Sequence, residues 1–285
     1  MTKSSELTMT LLPEKEAGQL RKILLVAVMV HIVTAFCAAW DFPQQIESIV
    51  ELAGSFCLLI FVCFHGWYRY GLNKMMAFFA ITSIISWSTE TLSIETGFPF
   101  GQYYYTDQLG DKIGQVPVLI FPAYFFIGYL AWTMGNLFMG NTSVGIKKKD
   151  LIYIPVVSAL IMVMWNVCFD PIMSTIEGNW VWENGGAYFG VPLSNYFGWF
   201  LTVYLIYQVF ALFLYRFGTC EELTTGKTFW YWIPVLYALQ GLPYFLYPFF
   251  RSGHTDIYLP ISLITLFTMF LIAFLNVLFI KRHLP

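Results

Sequence analysis

Charge is what this sequence has least of. Asp, Glu, Lys and Arg make up 11% of its 285 residues, against roughly 25% in an ordinary soluble domain. Hydrophobic residues make up 58%, and a soluble fold cannot cover that much apolar side chain with so few charges. A water-soluble globular domain is excluded. The net charge of −2 leaves no basic surface for a nucleic-acid partner. The five cysteines are odd in number and include no C-x-x-C pair. Cys37, Cys57, Cys63 and Cys168 fall in apolar runs, where a thiol behaves as a small hydrophobe. Neither a disulfide framework nor a zinc site is expected.

Several catalytic signatures are missing as well. The four histidines, His31, His65, His254 and His283, form no H-x-x-x-H or H-x-x-H-H box. That excludes a membrane di-iron hydroxylase or desaturase, whose metals need clustered imidazoles. No G-x-G-x-x-G is present to cradle a dinucleotide. No D-D-x-x-D is present to offer magnesium to a diphosphate, and Asp107 and Asp111 are too sparse for that work. Nearly all lysines lie in loops or at the edges of apolar runs, so none is placed for a retinal Schiff base. The sequence predicts no metal and no cofactor. Acid–base chemistry on a hydrophobic substrate stays open.

What the chain has in plenty is long apolar runs. About 20 apolar residues cross the hydrocarbon core as a helix, and eight stretches qualify: 22–40, 46–66, 74–96, 116–138, 151–172, 194–216, 229–248 and 258–280. The expected fold is all-α, a polytopic membrane bundle of about eight transmembrane helices. Residues 1–20 form a polar tail and 21–285 a single bundle, whose first span reads as uncleaved because its polar leader is long. With both termini cytoplasmic, 13 of the 15 basic residues lie inside and only Lys112 and Arg251 outside, as the positive-inside rule asks. The expected location is the cell membrane, with several passes. The two longest connections, 97–115 and 173–193, then lie on the outer side. They are rich in Gly, Tyr, Trp and acids, which suggests a binding face.

Three acids sit where a bilayer disfavours them: Glu90 and Glu95 late in the third span, Asp170 late in the fifth. A charge at mid-membrane costs about 2.5–3.5 kcal/mol on insertion scales. Glu90 lies roughly 9 Å below the outer end at 1.5 Å per residue, with no obvious basic partner at that depth, and is the best candidate proton donor. Asn166 and Asp170, four apart, share a helix face. Trp87, Glu90, Thr91 and Ile94 read as one face of the third span, with Glu95 turned roughly 140° away. Acids near helix ends often snorkel to the interface or pair with a neighbour, and Glu95 reads that way. For Asp170, ahead of Pro171, the two readings are balanced.

The run from Glu95 to Asp107 supplies a wall of rings: Phe98, Phe100, Tyr103, Tyr104 and Tyr105 between Gly97, Pro99 and Gly101. Such residues gather at membrane interfaces anyway. Their functional reading is a lid over an apolar ligand, with ring faces placed to stabilise a cation. A second segment, from Trp180 and Trp182 through Gly190 and Pro192 to Asn195 and Trp199, returns to the same side and favours the lid.

At these residues the sequence resembles a known family. Glu90, the run Thr96-Gly97-Phe98-Pro99-Phe100-Gly101-Gln102-Tyr103-Tyr104-Tyr105 and Gly114-Gln115-Val116-Pro117 are similar to the carotenoid hydratases of bacteria and archaea, which include γ-carotene and bisanhydrobacterioruberin hydratases. So are Asp170-Pro171-Ile172-Met173, Trp180-Val181-Trp182, the stretch Gly186 to Asn195, and Gly198-Trp199. The blocks cover residues 87–199. The chain departs from the pattern at Ala123-Tyr124, where a tryptophan is expected, and at Ile120-Phe121 before Pro122. The resemblance implies addition of water to the terminal double bond of a carotenoid, giving a tertiary alcohol, with a hydrophobic polyene, water and the bilayer as partners.

The residues agree with that chemistry. Protonating a trisubstituted alkene needs a strong acid in a dry site, with electron-rich faces near the cation. Glu90 is the expected donor. Tyr103, Tyr105, Trp180 and Trp182 are the expected stabilisers, with Trp87, Phe98, Phe100, Asn195 and Trp199 also expected to contact substrate. Asp170, aided by Asn166 or Asn195, is expected to orient and deprotonate the water. The same acid would also suit an intramembrane terpenoid cyclase. A protein that binds or moves a pigment or lipid unchanged is the non-catalytic alternative.

Overall fold

The computed structural model describes residues 14–221, 223 and 225–284, with side chains from Lys22 onward. The first 13 residues of the expected polar tail lie outside the described residues. From Glu14 the chain is already helical, so the first helix starts well before the apolar run does.

The described residues form an all-α bundle of eight helical rods. They are α1 (Glu14–Cys37), α2 (Gln44–Tyr70), α3 (Leu72–Thr96), α4 (Ile120–Phe138), α5 (Tyr153–Asp170), α6 (Leu193–Phe217), α7 (Lys227–Phe250), and a last rod of α8 (Thr255–Thr265) and α9 (Leu271–His283). A π-helical turn at Leu266–Phe270 joins the two halves of that last rod. Each rod covers one apolar run of the sequence. Among the described residues, four stretches are long and apolar enough to cross a membrane: Gln44–Tyr70, Lys148–Ile176, Leu193–Phe217 and Thr255–His283. Large apolar side chains such as Val26, Ile49, Phe197 and Phe267 point outward at 61%, 66%, 76% and 68% exposure. A surface of that kind belongs in lipid, and the chain is a membrane protein.

Two junctions show why the chain turns where it does. Between α2 and α3 there is a single residue, Gly71, at φ +77, a left-handed value that only glycine takes without strain. At the far end of α3, Gly97 takes the left-handed cap and its N–H bonds the carbonyl of Ser93 at 2.8 Å. At the centre of the bundle is α4, buried from Tyr124 through Leu137 without a break. A helix apolar all round has to be interior.

The two long loops add a little β structure at one end. Strand β1 (Tyr103–Tyr105) pairs antiparallel with β4 (Trp180–Trp182), opposing Tyr103 to Trp182 and Tyr105 to Trp180. Between them, β2 (Lys112–Ile113) pairs with β3 (Val116–Pro117). In both β1 and β4 the outer two side chains are buried and the middle one is exposed. The alternation of a strand therefore drives four rings, Tyr103, Tyr105, Trp180 and Trp182, down onto the helices.

Candidate active site

Glu90 belongs to the inward stripe of α3, whose buried members are Met75, Phe78, Thr82, Ser86, Glu90 and Ser93. Steps of three and four put them on one helix face. At 3% exposure the carboxyl is sealed from solvent, and three phenols meet it. Tyr105 donates to Oε2 at 3.0 Å and Tyr124 to Oε1 at 2.8 Å, and Tyr103 also donates to Oε2. Burial, with the Glu90 carboxyl next to them, pushes the Tyr103 and Tyr105 hydroxyls well above the usual phenol range. They stay protonated and act as donors.

Asp170 ends α5 and is equally buried, at 1% exposure. Asn166, one turn earlier, donates to its Oδ1 at 2.7 Å, and Asn195 from the first turn of α6 donates to its Oδ2. The helix then widens into a π turn over Pro171–Ile176. Pro171 has no N–H for the carbonyl of Val167 four residues back, and the Tyr188 hydroxyl donates to that carbonyl instead, at 3.3 Å. A proline thus ends regular helix at the acid, and the far loop satisfies the carbonyl it frees.

Both acids line one pocket, whose non-atom space with its open mouth included is about 470 Å³ and which fourteen side chains surround. Its walls come from α3, α4, α5, α6 and the β1–β4 ribbon. Most of the lining is aromatic. Tyr124 stacks on Trp199 with centroids 4.5 Å apart, Trp165 stacks on Phe169 at 4.3 Å, and Tyr103 lies 4.9 Å from Trp182. No Lys, Arg or His is among the lining residues. Two acids with neutral donors, facing a ring-lined space, can give a proton to a substrate, take one from water and stabilise positive charge between the two steps.

The loop that carries Phe100 is fixed by close packing. A Cβ on Gly198 of α6 would lie 2.7 Å from both the Phe100 ring and the Pro99 carbonyl oxygen. Glycine is what lets the loop lie against that helix. Ser93 Oγ takes the Phe100 N–H and donates to the Gly101 carbonyl, both at 3.0 Å, and Ser194 Oγ donates to the Phe100 carbonyl at 2.9 Å.

Of the residues expected from sequence, Glu90, Asp170, Phe100, Tyr103, Tyr105, Trp180, Trp182, Asn195 and Trp199 all line the cavity. Asn166 supports Asp170 from behind the wall. Two of the expected residues lie away from the cavity. Trp87 is 39% exposed and donates its Nε1–H to the Ile113 carbonyl at 3.2 Å, bracing the β2–β3 hairpin, because the inward stripe passes through Ser86 and Ser93 and not through Trp87. Phe98 is 60% exposed on the loop that follows α3. Glu95 is exposed too. Five lining residues went unrecognised in the sequence: Ile120, Ala123, Tyr124, Trp165 and Phe169. Tyr124 carried a signal, since a phenol inside an apolar run needs a hydrogen-bond partner.

Comparison with known proteins places the chain in a family. Residues 48–271 match the family described as carotenoid biosynthesis protein. A curated relative, named bisanhydrobacterioruberin hydratase, from Haloarcula japonica, is 30% identical over 145 residues, which are 50% of this chain and 45% of that protein. The matched stretch therefore spans about half the length of the relative. No solved structure matches the chain.

Proposed function

We propose that this chain, which belongs to the carotenoid biosynthesis protein family, is a hydratase that adds water across the terminal double bond of an acyclic carotenoid end. The observation that carries the proposal is the pairing of Glu90 and Asp170 on one aromatic cavity, each held by neutral donors. The name of the Haloarcula japonica relative supports the same reading. Glu90 Oε2 accepts two phenols and Oε1 one, so Oε1 keeps a lone pair free for the transferable proton. That proton goes to the less substituted alkene carbon, and a tertiary cation forms beside the rings of Tyr124, Trp165, Trp180, Trp182 and Trp199. Water held at Asp170, with Asn166 and Asn195 fixing the carboxylate, adds to the cation and loses a proton to Asp170. Asp170 returns the proton to Glu90 across the shared cavity, and the sum is alkene plus water to tertiary alcohol. No electron changes hands, so the scheme calls on no metal or redox cofactor.

The topology proposed with it has all eight rods crossing the cell membrane, both termini in the cytoplasm and the β1–β4 ribbon toward the outer face. The distribution of Lys and Arg supports it. Co-expression with a pathway that makes acyclic carotenoids tests the chemistry. The expected product gains the mass of one water per reacting end and takes its oxygen from labelled water. A ring-closed product of unchanged mass identifies a cyclase instead. Pigment that co-purifies unaltered identifies a binding protein.

A further inference from the structure

We infer that the substrate end enters from the lipid through a side opening between the start of α4 and the end of α5, and that Ala123 sets the width of that opening. The inference takes the identity of its ligand from the carotenoid reading above. Of the fourteen residues that line the cavity, eleven are buried and three are partly exposed. Those three are Ile120, Ala123 and Phe169. They sit together at one end of the bundle, where α4 begins and the antiparallel α5 finishes. Exposure confined to neighbouring residues on two adjacent helices marks a mouth in the side wall.

The chemistry of this rim fits one kind of visitor. Ile, Ala and Phe offer no hydrogen bond and no charge. Val118 and Leu119, just before α4, continue the apolar surface outward at 42% and 46% exposure. The other end of the cavity is closed by the ribbon, whose four inward rings are all buried. A ligand arriving from water would meet the ribbon, and one arriving from lipid meets the rim. The space between the fourteen lining side chains is far too small for a long polyene, so only one end enters and the rest stays outside between helix surface and lipid.

The rim also sets the order of contacts. Ala123 precedes Tyr124, which donates to Glu90, and Phe169 precedes Asp170. An end group passing between them enters the same cavity that both acids line. Ala123 is the smallest of the three rim side chains, so adding bulk there closes the passage without touching the acids or their donors.

The test blocks the opening after the protein has folded. Ala123→Cys is reconstituted in lipid nanodiscs and treated with benzyl methanethiosulfonate, and the wild type receives the same treatment to account for its own exposed cysteines, Cys63 and Cys220. Lycopene is the probe. Its entry is read as quenching of tryptophan fluorescence, since Trp165, Trp180, Trp182 and Trp199 line the cavity, and hydration is read separately by product mass. Blocking is expected to slow quenching at least tenfold relative to the same variant left unmodified, with the treated wild type unchanged. Phe169→Ala is expected to speed it. Quenching that is equally fast with and without the block overturns the inference, as does an absence of quenching in the unmodified variant. Quenching that responds to the block while no water is added keeps the opening and removes the hydratase reading instead.

Discussion

The bundle buries ionisable groups at both ends, and the two ends treat them in opposite ways. Toward the end of α2, Arg69 is 2% exposed and has no carboxylate partner among the described residues. Its guanidinium lies 4.6 Å from the Tyr70 ring and 5.1 Å from the Trp230 ring, and it donates to Thr133 Oγ1 at 3.2 Å. His65, one turn earlier, stacks on Phe229 at 3.9 Å and meets the Tyr129 hydroxyl at 2.7 Å. Rings press on the cation and the imidazole and occupy the space around them. At the opposite end Glu90 and Asp170 have hydrogen-bond donors on one side and unfilled space on the other. A buried charge alone does not mark a catalytic site. A buried acid that keeps one side open to a cavity is the better candidate, and substitutions at the two ends should separate activity from stability.

The largest effect is expected from Glu90→Gln. The amide keeps the shape but has no acidic proton, so conversion should fall by about 10²–10⁴-fold while the protein reaches normal levels in the membrane. Pigment analysis normalised to protein measures both, and an active Glu90→Gln would make the open cavity irrelevant to the chemistry. Asp170→Asn should come next, with a drop of about 10²-fold in hydrated product. It should also yield isomerised or ring-closed pigment, since the cation still forms but its water is no longer deprotonated. By-products from Glu90→Gln, and none from Asp170→Asn, would reverse the two roles.

Arg69→Ala probes the other end. It removes a packed side chain and two cation–π contacts, and should cost about 2–4 kcal/mol of stability. Turnover per folded molecule should stay unchanged. A lower melting temperature in detergent with intact specific activity is the expected pair of results, and loss of activity in folded Arg69→Ala would join the two ends into one functional unit. Tyr124→Phe deletes one of three donors to Glu90 and should slow conversion by about tenfold, the worth of one hydrogen bond to a charged group. Glu95→Gln should change conversion less than twofold, because Glu95 is exposed and faces away.

The helices were legible in the sequence because a run of about 20 apolar residues admits few other structures. Their ends were less so. Nothing in the apolar pattern distinguishes the polar first turns of α1 from a tail, or the π turn at Leu266–Phe270 from regular helix. In the site, Glu90, Asp170 and Asn195 stood out as polar groups in apolar surroundings. Trp165 and Phe169 did not, because an aromatic residue in an apolar run conforms to its neighbours and only the tertiary fold says which way it points. Trp87 lies away from the cavity for the converse reason. Its size suggested a wall, while the inward direction of α3 was carried by the small polar residues Ser86 and Ser93.

The β1–β4 ribbon has a consequence for biosynthesis. Glu90 and two of its phenols, Tyr103 and Tyr105, leave the ribosome close together, whereas Trp180 and Trp182 emerge much later. On the proposed topology the third helix would enter the membrane with its acid already capped by hydroxyls from its own flanking loop, and the expense of inserting a bare carboxylate would be avoided. The cavity acquires its roof only when β4 is made and joins β1. A chain halted before residue 180 would hold Glu90 with no enclosed space around it, so under the proposed function an unfinished protein would be unable to act on a polyene it met during insertion.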